Sequence, residues 1–266
     1  MAKQTQEDGF ETASKEKSMM KSYSKDFFEK RHQRTLYSAQ TITSYLFEMV
    51  PNITSAIDVG CGVGTWLSVM KNKGVKEIFG IDGDWIDKSL LVIPQECFLS
   101  ADLSKPIKID RRYNLAISLE VAEHLPEESA RTFVNSLVCL SDIIMFSAAI
   151  PGQEARDHIN EQWPEYWVNH FIDFEYEVVD ALRTKFWNDE KVLLWYRQNL
   201  LLFVKKTRIS EFSLLRKEYE MSRKNPISIV HPELFEKKIK KLTSLKGSWK
   251  AFRRSLKSEI KKGLAL

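Results

Sequence analysis

Apolar positions recur along this chain in two rhythms. Over residues 35–49 they fall at Leu36, Ala39, Ile42, Leu46 and Met49. Steps of three and four predict an amphipathic helix, and Pro51-Asn52 marks its end. Beyond it come short apolar runs of strand length at residues 56–59, 77–81, 96–99 (the weakest), 115–119, 142–147, 177–179 and 199–205. Helical patterns separate several of them, at residues 65–71 and 127–140. Short buried strands alternating with helices predict βαβ units and a mostly parallel sheet covered on both faces, an α/β fold. The pattern divides the chain into a flexible N-terminus at 1–22, one domain at 23–205 and a helical extension at 206–266. No internal repeat is visible.

In that extension the rhythm of three and four returns. Phe235, Ile239, Leu242, Leu245, Trp249, Phe252, Leu256, Ile260 and Leu264 form one stripe, with an interruption conceivable at Gly247. Charge separates this tail from the body. The whole chain carries +4, but residues 205–266 hold 18 Lys and Arg against 6 Asp and Glu, a net of +12, which leaves −8 for the remainder. Three roles suit a basic amphipathic helix: packing on the domain or on a second copy, lying on an anionic membrane, or holding nucleic acid.

Composition narrows the class. With 43% hydrophobic and 29% charged residues, the chain is neither disordered nor collagen-like. No apolar run reaches the roughly 18 residues of a spanning helix. The first residues show no secretory pattern, and Cys61, Cys97 and Cys139 have no metal or redox spacing. They read as buried thiols in a reducing, cytoplasmic setting.

The segment Asp58-Val59-Gly60-Cys61-Gly62-Val63-Gly64-Thr65-Trp66 carries the most chemistry. A buried strand enters three alternate glycines and then a helix, whose free N–H groups can receive a ligand. The spacing is G-x-G-x-G, not the G-x-G-x-x-G of dinucleotide binders; a plain strand-to-helix turn is the other reading. Asp82 ends the second strand, 18 residues after Gly64, within Gly80-Ile81-Asp82-Gly83-Asp84-Trp85. A carboxylate there matches the vicinal hydroxyls of a ribose. Asp102 follows the third strand, beside Leu103, where it can meet an adenine amino group.

In this combination and order the sequence resembles the class I S-adenosylmethionine-dependent methyltransferases. The resemblance implies a Rossmann-like seven-stranded sheet of order 3-2-1-4-5-7-6 with strand 7 antiparallel. It implies that Asp58, Gly60, Cys61 and Gly62 hold the methionine end of the cofactor and that Asp82 and Gly83 hold the ribose. Asp102 and Leu103 would hold the adenine, and Leu119 would complete the wall. Trp85 is a stacking partner or a core residue. Within the aromatic and basic segment 23–34, residues 23–28 read as a helical lid over the cofactor, with Arg31 or Arg34 near its carboxylate, or as simple helix packing.

The stretch Ser118-Leu119-Glu120-Val121-Ala122-Glu123-His124-Leu125-Pro126 follows the fourth strand. On an ideal helix Glu120, Glu123 and His124 fall within an arc of about 100°. Two carboxylates and an imidazole on one face can hold a divalent cation or orient a base; a solvated helix cap is the bland alternative. E-x-x-E-H with a later D-H resembles the metal-dependent small-RNA 3′-terminal 2′-O-methyltransferases. That resemblance implies Mg2+ or Mn2+ on Glu120, Glu123, His124 and His158, with His124, His158 and Glu120 catalytic. Without a metal, His124 would be the base, oriented by Glu120 or Glu123. The motif A-A-I-P-G-Q…H-I-N-E-Q-W-P-x-Y-W resembles a bacterial subgroup associated with surface glycans and natural products. The expected reaction is therefore O-methylation of a small-molecule or glycan acceptor, lipid-linked surface polysaccharide included, at the inner face of the membrane. A nucleic-acid 2′-O-methyltransferase and a catalytically silent scaffold are the alternatives, and a homodimer is compatible with either. Trp163, Trp167, Trp187 and Trp195 form a substrate wall or part of the core.

Overall fold

The computed structural model describes residues 25–155, 157–245, 247–249, 252–253 and 256, with side chains from residue 29 onward. The expected flexible segment 1–22, the lid side chains of 23–28, and Ile260 and Leu264 lie outside them.

Seven strands form one sheet: β1 (Ser55–Val59), β2 (Glu77–Asp82), β3 (Phe98–Ser100), β4 (Leu115–Leu119), β5 (Ile143–Ser147), β6 (Tyr176–Val179) and β7 (Leu201–Lys205). Their order is β3-β2-β1-β4-β5-β7-β6. The first five run parallel, and β7 lies antiparallel between β5 and β6. This is the Rossmann-like architecture the sequence implied. Every residue of β1, β4 and β5 is buried, as both-face coverage of a parallel sheet requires.

Among the described residues, eight helices flank the strands. They are α1 (Lys25–Met49), α2 (Thr65–Asn72), α3 (Ala130–Leu140), α4 (Pro164–Ile172), α5 (Ala181–Phe186), α6 (Leu194–Asn199), α7 (Ser213–Ser222) and α8 (Pro232–Thr243). Alternation along the strands feeds two cores. Ile143 and Met145 pack with Ala39, Ile42 and Leu46 of α1 on one face. Ile144 and Phe146 pack with Phe133 and Leu137 of α3 on the other. Each such buried aliphatic side chain contributes about 1.5–3 kcal/mol by leaving water.

Several expected boundaries move. The helix predicted at 35–49 begins ten residues earlier, at Lys25, because the aromatic and basic segment continues its turns. A 3-10 turn at Gln95–Cys97 displaces the weak third strand to Phe98–Ser100. The extension is not detached from the body: Ile209 and Leu215 join the first core. Its long helix breaks at Ser244, whose extended backbone (ψ 147°) ends α8, and Gly247 is helical. Of the three thiols only Cys61 is buried; Cys97 is half-buried and Cys139 exposed. Cys139 lies on the solvent side of α3, which an apolar neighbourhood in sequence does not reveal.

Candidate active site

The carboxyl ends of β1, β2 and β4 meet around a cavity of about 160 Å³, the place where open α/β sheets bind ligands. Asp58, Gly60, Cys61, Gly62, Asp82 and Trp85 line it, with Leu103 and Leu119 completing the wall. Two of the residues expected there do not. Gly83 lies behind the wall, donating its N–H to Asp82 Oδ1 at 2.7 Å, with the Trp85 ring over the place a Cβ would take. Asp102 is exposed and turned away. Its carboxylate accepts from Ser104 N at 2.9 Å and Ser104 Oγ at 2.6 Å, the local turn that Asp commonly forms with a residue two positions on.

Four N–H groups of the glycine loop are engaged within the protein: Gly60 and Cys61 donate to Ile81 O, Gly62 to Asp82 Oδ2 and Gly64 to Cys61 O; the first turn of α2, as expected, carries no side-chain cap. The loop is therefore pinned onto β2. Gly60 has φ +89°, and a Cβ there would stand 2.2 Å from Val121 Cγ2. Only glycine allows the E-x-x-E-H segment to lie so close to β1.

Three buried carboxyls and the half-buried Glu120 share this end of the sheet, and desolvation raises the pKa of each. Asp58 is pushed well above its ordinary value by burial and then by Asp82. Asp82 is also raised by burial, with the Gly62 and Gly83 N–H groups and the Arg31 guanidinium pulling it back. Burial lifts Glu120 to about 7 against bonds from Asn199 and Ser147. Glu123 is raised well above the carboxylate range by burial and by Glu120. Arg31, from α1, lines the cavity and acts on Asp82, Glu120 and Glu123 alike. Arg34 instead stacks over Trp195 at 5.6 Å.

The E-x-x-E-H stretch is not the helical turn the sequence suggested. Glu120 has φ +57°, and a short 3-10 turn follows at Ala122–His124. Left-handed backbone at a non-glycine residue costs of order 1–3 kcal/mol and tends to mark functional sites. The kink sends Glu120 into the cavity, where its oxygens accept from Asn199 Nδ2 at 3.0 and 3.3 Å. Glu123 turns inward beside His124 and His158. Ligand atoms of Glu123, His124 and His158 all lie within 4.8 Å of one another; Glu120 stands outside that group.

Hydrogen bonds orient both rings. His124 Nδ1 donates to Asp157 O at 3.1 Å, and His158 Nδ1 donates to Glu161 Oε1 at 2.7 Å. Each Nε2 lone pair is thereby left for another partner. His158 Nε2 lies 4.0 Å from Glu123 Oε1. Burial, and then the facing His158 ring, lower the pKa of His124. Both Glu123 oxygens are buried without a hydrogen bond of good geometry; the nearby Glu123 and Ala149 N–H groups offset its burial only in part, and a carboxylate so placed is costly unless a cation or proton joins it. The donor set and its poorly satisfied carboxylate fit a divalent cation. The Glu123 carbonyl accepts from Ile159 N at 2.9 Å and Asn160 N at 3.0 Å, fixing the loop that carries His158.

The model of a methyltransferase-domain family matches residues 16–180. The chain belongs to that family. A transferase is thus the enzyme class of the chain. Among solved structures, the chain is similar to magnesium protoporphyrin IX methyltransferase (ChlM) from Synechocystis PCC 6803 with bound SAM. Identity is 19%, coverage 63% of this chain and 79% of that one, and the TM-score 0.43. It is also similar to Streptomyces venezuelae DesVI (13%, 67% and 94%, 0.49). A third is the methyltransferase domain of bacterial CtHen1 (20%, 63% and 97%, 0.44). No curated protein matches the chain.

Sequence reasoning assigned no role to four residues of this methyltransferase site. Asn199 and Tyr196 come from α6, remote in sequence, and no local spacing announces them. Tyr196 meets Trp66 edge-on at 5.3 Å in the cavity wall. Gln153 shares the Asn199 amide at 3.1 Å. Glu161 had a legible signal, a carboxylate three residues after His158. Of the four tryptophans, Trp167 is core, Trp163 is exposed, and Trp187 and Trp195 are half-buried. They do not form one wall.

Proposed function

We propose that this methyltransferase is a cytoplasmic S-adenosylmethionine-dependent O-methyltransferase acting on a hydroxyl of a small-molecule or glycan acceptor at the inner face of the membrane. A divalent cation of the magnesium or manganese class is held by Glu123, His124 and His158. The observation that carries the cation is the fully buried Glu123 carboxylate, without a hydrogen bond of good geometry and faced by two imidazoles whose Nδ1 atoms are already committed.

Within this reading Asp82 receives the ribose hydroxyls, since each of its oxygens accepts one N–H and retains a lone pair. Asp58 and the loop from Gly60 to Gly62 take the methionine end. The Arg31 guanidinium faces the cofactor carboxylate, and the buried acids suit its cationic ammonium and sulfonium groups. A bound cation lowers the pKa of a hydroxyl that touches it. The acceptor oxygen attacks the methyl carbon in line, and the carbon–sulfur bond breaks with its electron pair staying on sulfur, which releases S-adenosylhomocysteine. The hydroxyl proton passes to Glu120, which lines the cavity with a pKa near 7 and is suited to a general base at neutral pH.

The test combines calorimetric titration of S-adenosylmethionine with transfer of its labelled methyl group to a panel of acceptors. Wild type is expected to bind and Asp82→Ala to lose binding. Removal of divalent cations and His158→Ala are each expected to abolish transfer. Absence of cofactor binding would sink the enzyme reading. Transfer indifferent to chelation, with near-normal turnover of His158→Ala, would remove the cation alone.

A further inference from the structure

The C-terminal segments present an apolar face that the body leaves uncovered. Phe235, Ile239 and Leu242 of α8 fall within an arc of about 60° at 100° per residue. Beyond the Ser244 bend the described residues Leu245, Trp249, Phe252 and Leu256 continue the apolar spacing of three and four. All seven are between 42% and 93% exposed. Trp249 and Phe252 stack on each other at 5.8 Å, not against the body. Gly247 sits where a Cβ would collide with Lys241 O at 1.6 Å, so the second segment starts close against the end of α8.

Charge decides among occupants. Residues 232–262 carry 11 Lys and Arg against 3 acids. Lys238 and Lys241 reach back to Glu154 at 2.8 and 3.0 Å. Lys240 and Arg253 are exposed, Lys240 about 100° round α8 from the edge of the apolar arc. A narrow apolar ridge on a helix whose other faces carry cations is the form of an interfacial helix. A second copy would bring the same positive tail, and nucleic acid would not require the tryptophan and phenylalanine.

We propose that this face docks the protein on an anionic lipid membrane. The aromatic and aliphatic ridge enters the headgroup boundary, and the flanking Lys and Arg meet lipid phosphates. Docking also touches the site. Lys238 Nζ donates to Gly152 O at 2.9 Å, and Gly152 N and Glu154 N donate to Glu161 at 2.8 and 2.7 Å. The membrane-facing helix therefore sits directly beside the loop that holds His158. The surface stands independently of the reaction assigned to the cavity.

The experiment is flotation of the full chain with vesicles of phosphatidylcholine, alone or mixed with phosphatidylglycerol, at low and high salt. Binding is expected to the mixed vesicles only, and to weaken with salt. Each basic residue near the surface changes partitioning about fivefold, so Lys240→Glu with Arg253→Glu is expected to reduce it more than tenfold. Trp249→Ser with Phe252→Ser removes the ridge without touching the body, and is expected to reduce binding comparably while leaving the melting temperature unchanged. No binding to mixed vesicles at low salt overturns the proposal, as does undiminished binding of the Trp249/Phe252 variant. A dimer in sedimentation that this variant dissolves would instead assign the ridge to a second copy.

Discussion

Gly60→Ala tests how closely the E-x-x-E-H segment is held to the glycine loop. The added methyl must adopt φ +89° and stand 2.2 Å from Val121 Cγ2, 3.0 Å from Cγ1 and 3.1 Å from Cβ. Left-handed backbone costs a non-glycine residue about 1–2 kcal/mol, and forcing a methyl into a filled space about 1–3 kcal/mol. The expected loss is their sum, about 2–5 kcal/mol. Val121→Ala separates the two contributions: it removes both γ carbons and leaves only the tolerable Cβ contact. In that background Gly60→Ala should cost the backbone share alone, about 1–2 kcal/mol. The measurement is a double-mutant cycle by urea unfolding, followed by tryptophan fluorescence. A coupling of about 1–3 kcal/mol is expected, well above the ~0.5 kcal/mol scatter of independent sites. Additive costs, or a loss below about 1 kcal/mol for Gly60→Ala alone, would refute the close approach of Val121 to the loop.

Asp58→Asn addresses the buried acids. Because burial raises the Asp58 pKa, the native state keeps this proton to higher pH than the unfolded chain does. Stability therefore falls as pH climbs from the unfolded value, about 3.9, up through the folded one. The variant escapes that fall and should melt higher than wild type at pH ~7, with the gap closing toward pH ~3; equal melting curves at neutral pH would contradict the assignment. Arg183 is fully buried and bonds Asp180 Oδ1 at 3.0 Å and Ile227 O at 2.9 Å. Arg183→Met should lose about 3–5 kcal/mol by stranding the Asp180 carboxylate, and Asp180→Leu added to it should restore part of the loss in the same unfolding assay. Glu161→Gln should weaken Mn2+ binding, read by paramagnetic resonance, about 10–100-fold through loss of the His158 orientation, and unchanged affinity would remove Glu161 from that role.

Much of this was legible because β1, β4 and β5 are wholly buried and their runs are mostly apolar, interrupted by Asp58 in β1 and Ser118 in β4. The G-x-G-x-G turn could be placed because it follows directly on β1, and Asp82 because it ends the apolar stretch of β2. The helical reading of Glu120, Glu123 and His124 failed for a physical reason. The positive φ at Glu120 answers to the Ser147 carbonyl and hydroxyl, which take its N–H at 2.9 and 3.1 Å, and a contact to a neighbouring strand leaves no trace in local spacing. Asn199 and Tyr196 escaped for the same reason: they reach the cavity through the antiparallel return of the chain. The tail's periodicity was readable, but its bend at Ser244 was not, since neither proline nor glycine marks it.

The placement of β7 has a consequence for how the chain is made. Ile143–Ser147 pairs on one side with Leu115–Leu119, synthesised shortly before it, and on the other with Leu201–Lys205, which the ribosome supplies more than fifty residues later. Until β7 arrives, β5, with its four apolar residues Ile143 to Phe146, forms an open strand edge in a nascent chain whose first five strands can already pair. Such an edge invites pairing with other chains. The long connection also makes this closure, like the pairing of β1 with β4, an entropically costly step of sheet assembly. Translation that stalls in the Trp-rich segment between β5 and β7 would therefore yield aggregation, not a shortened enzyme.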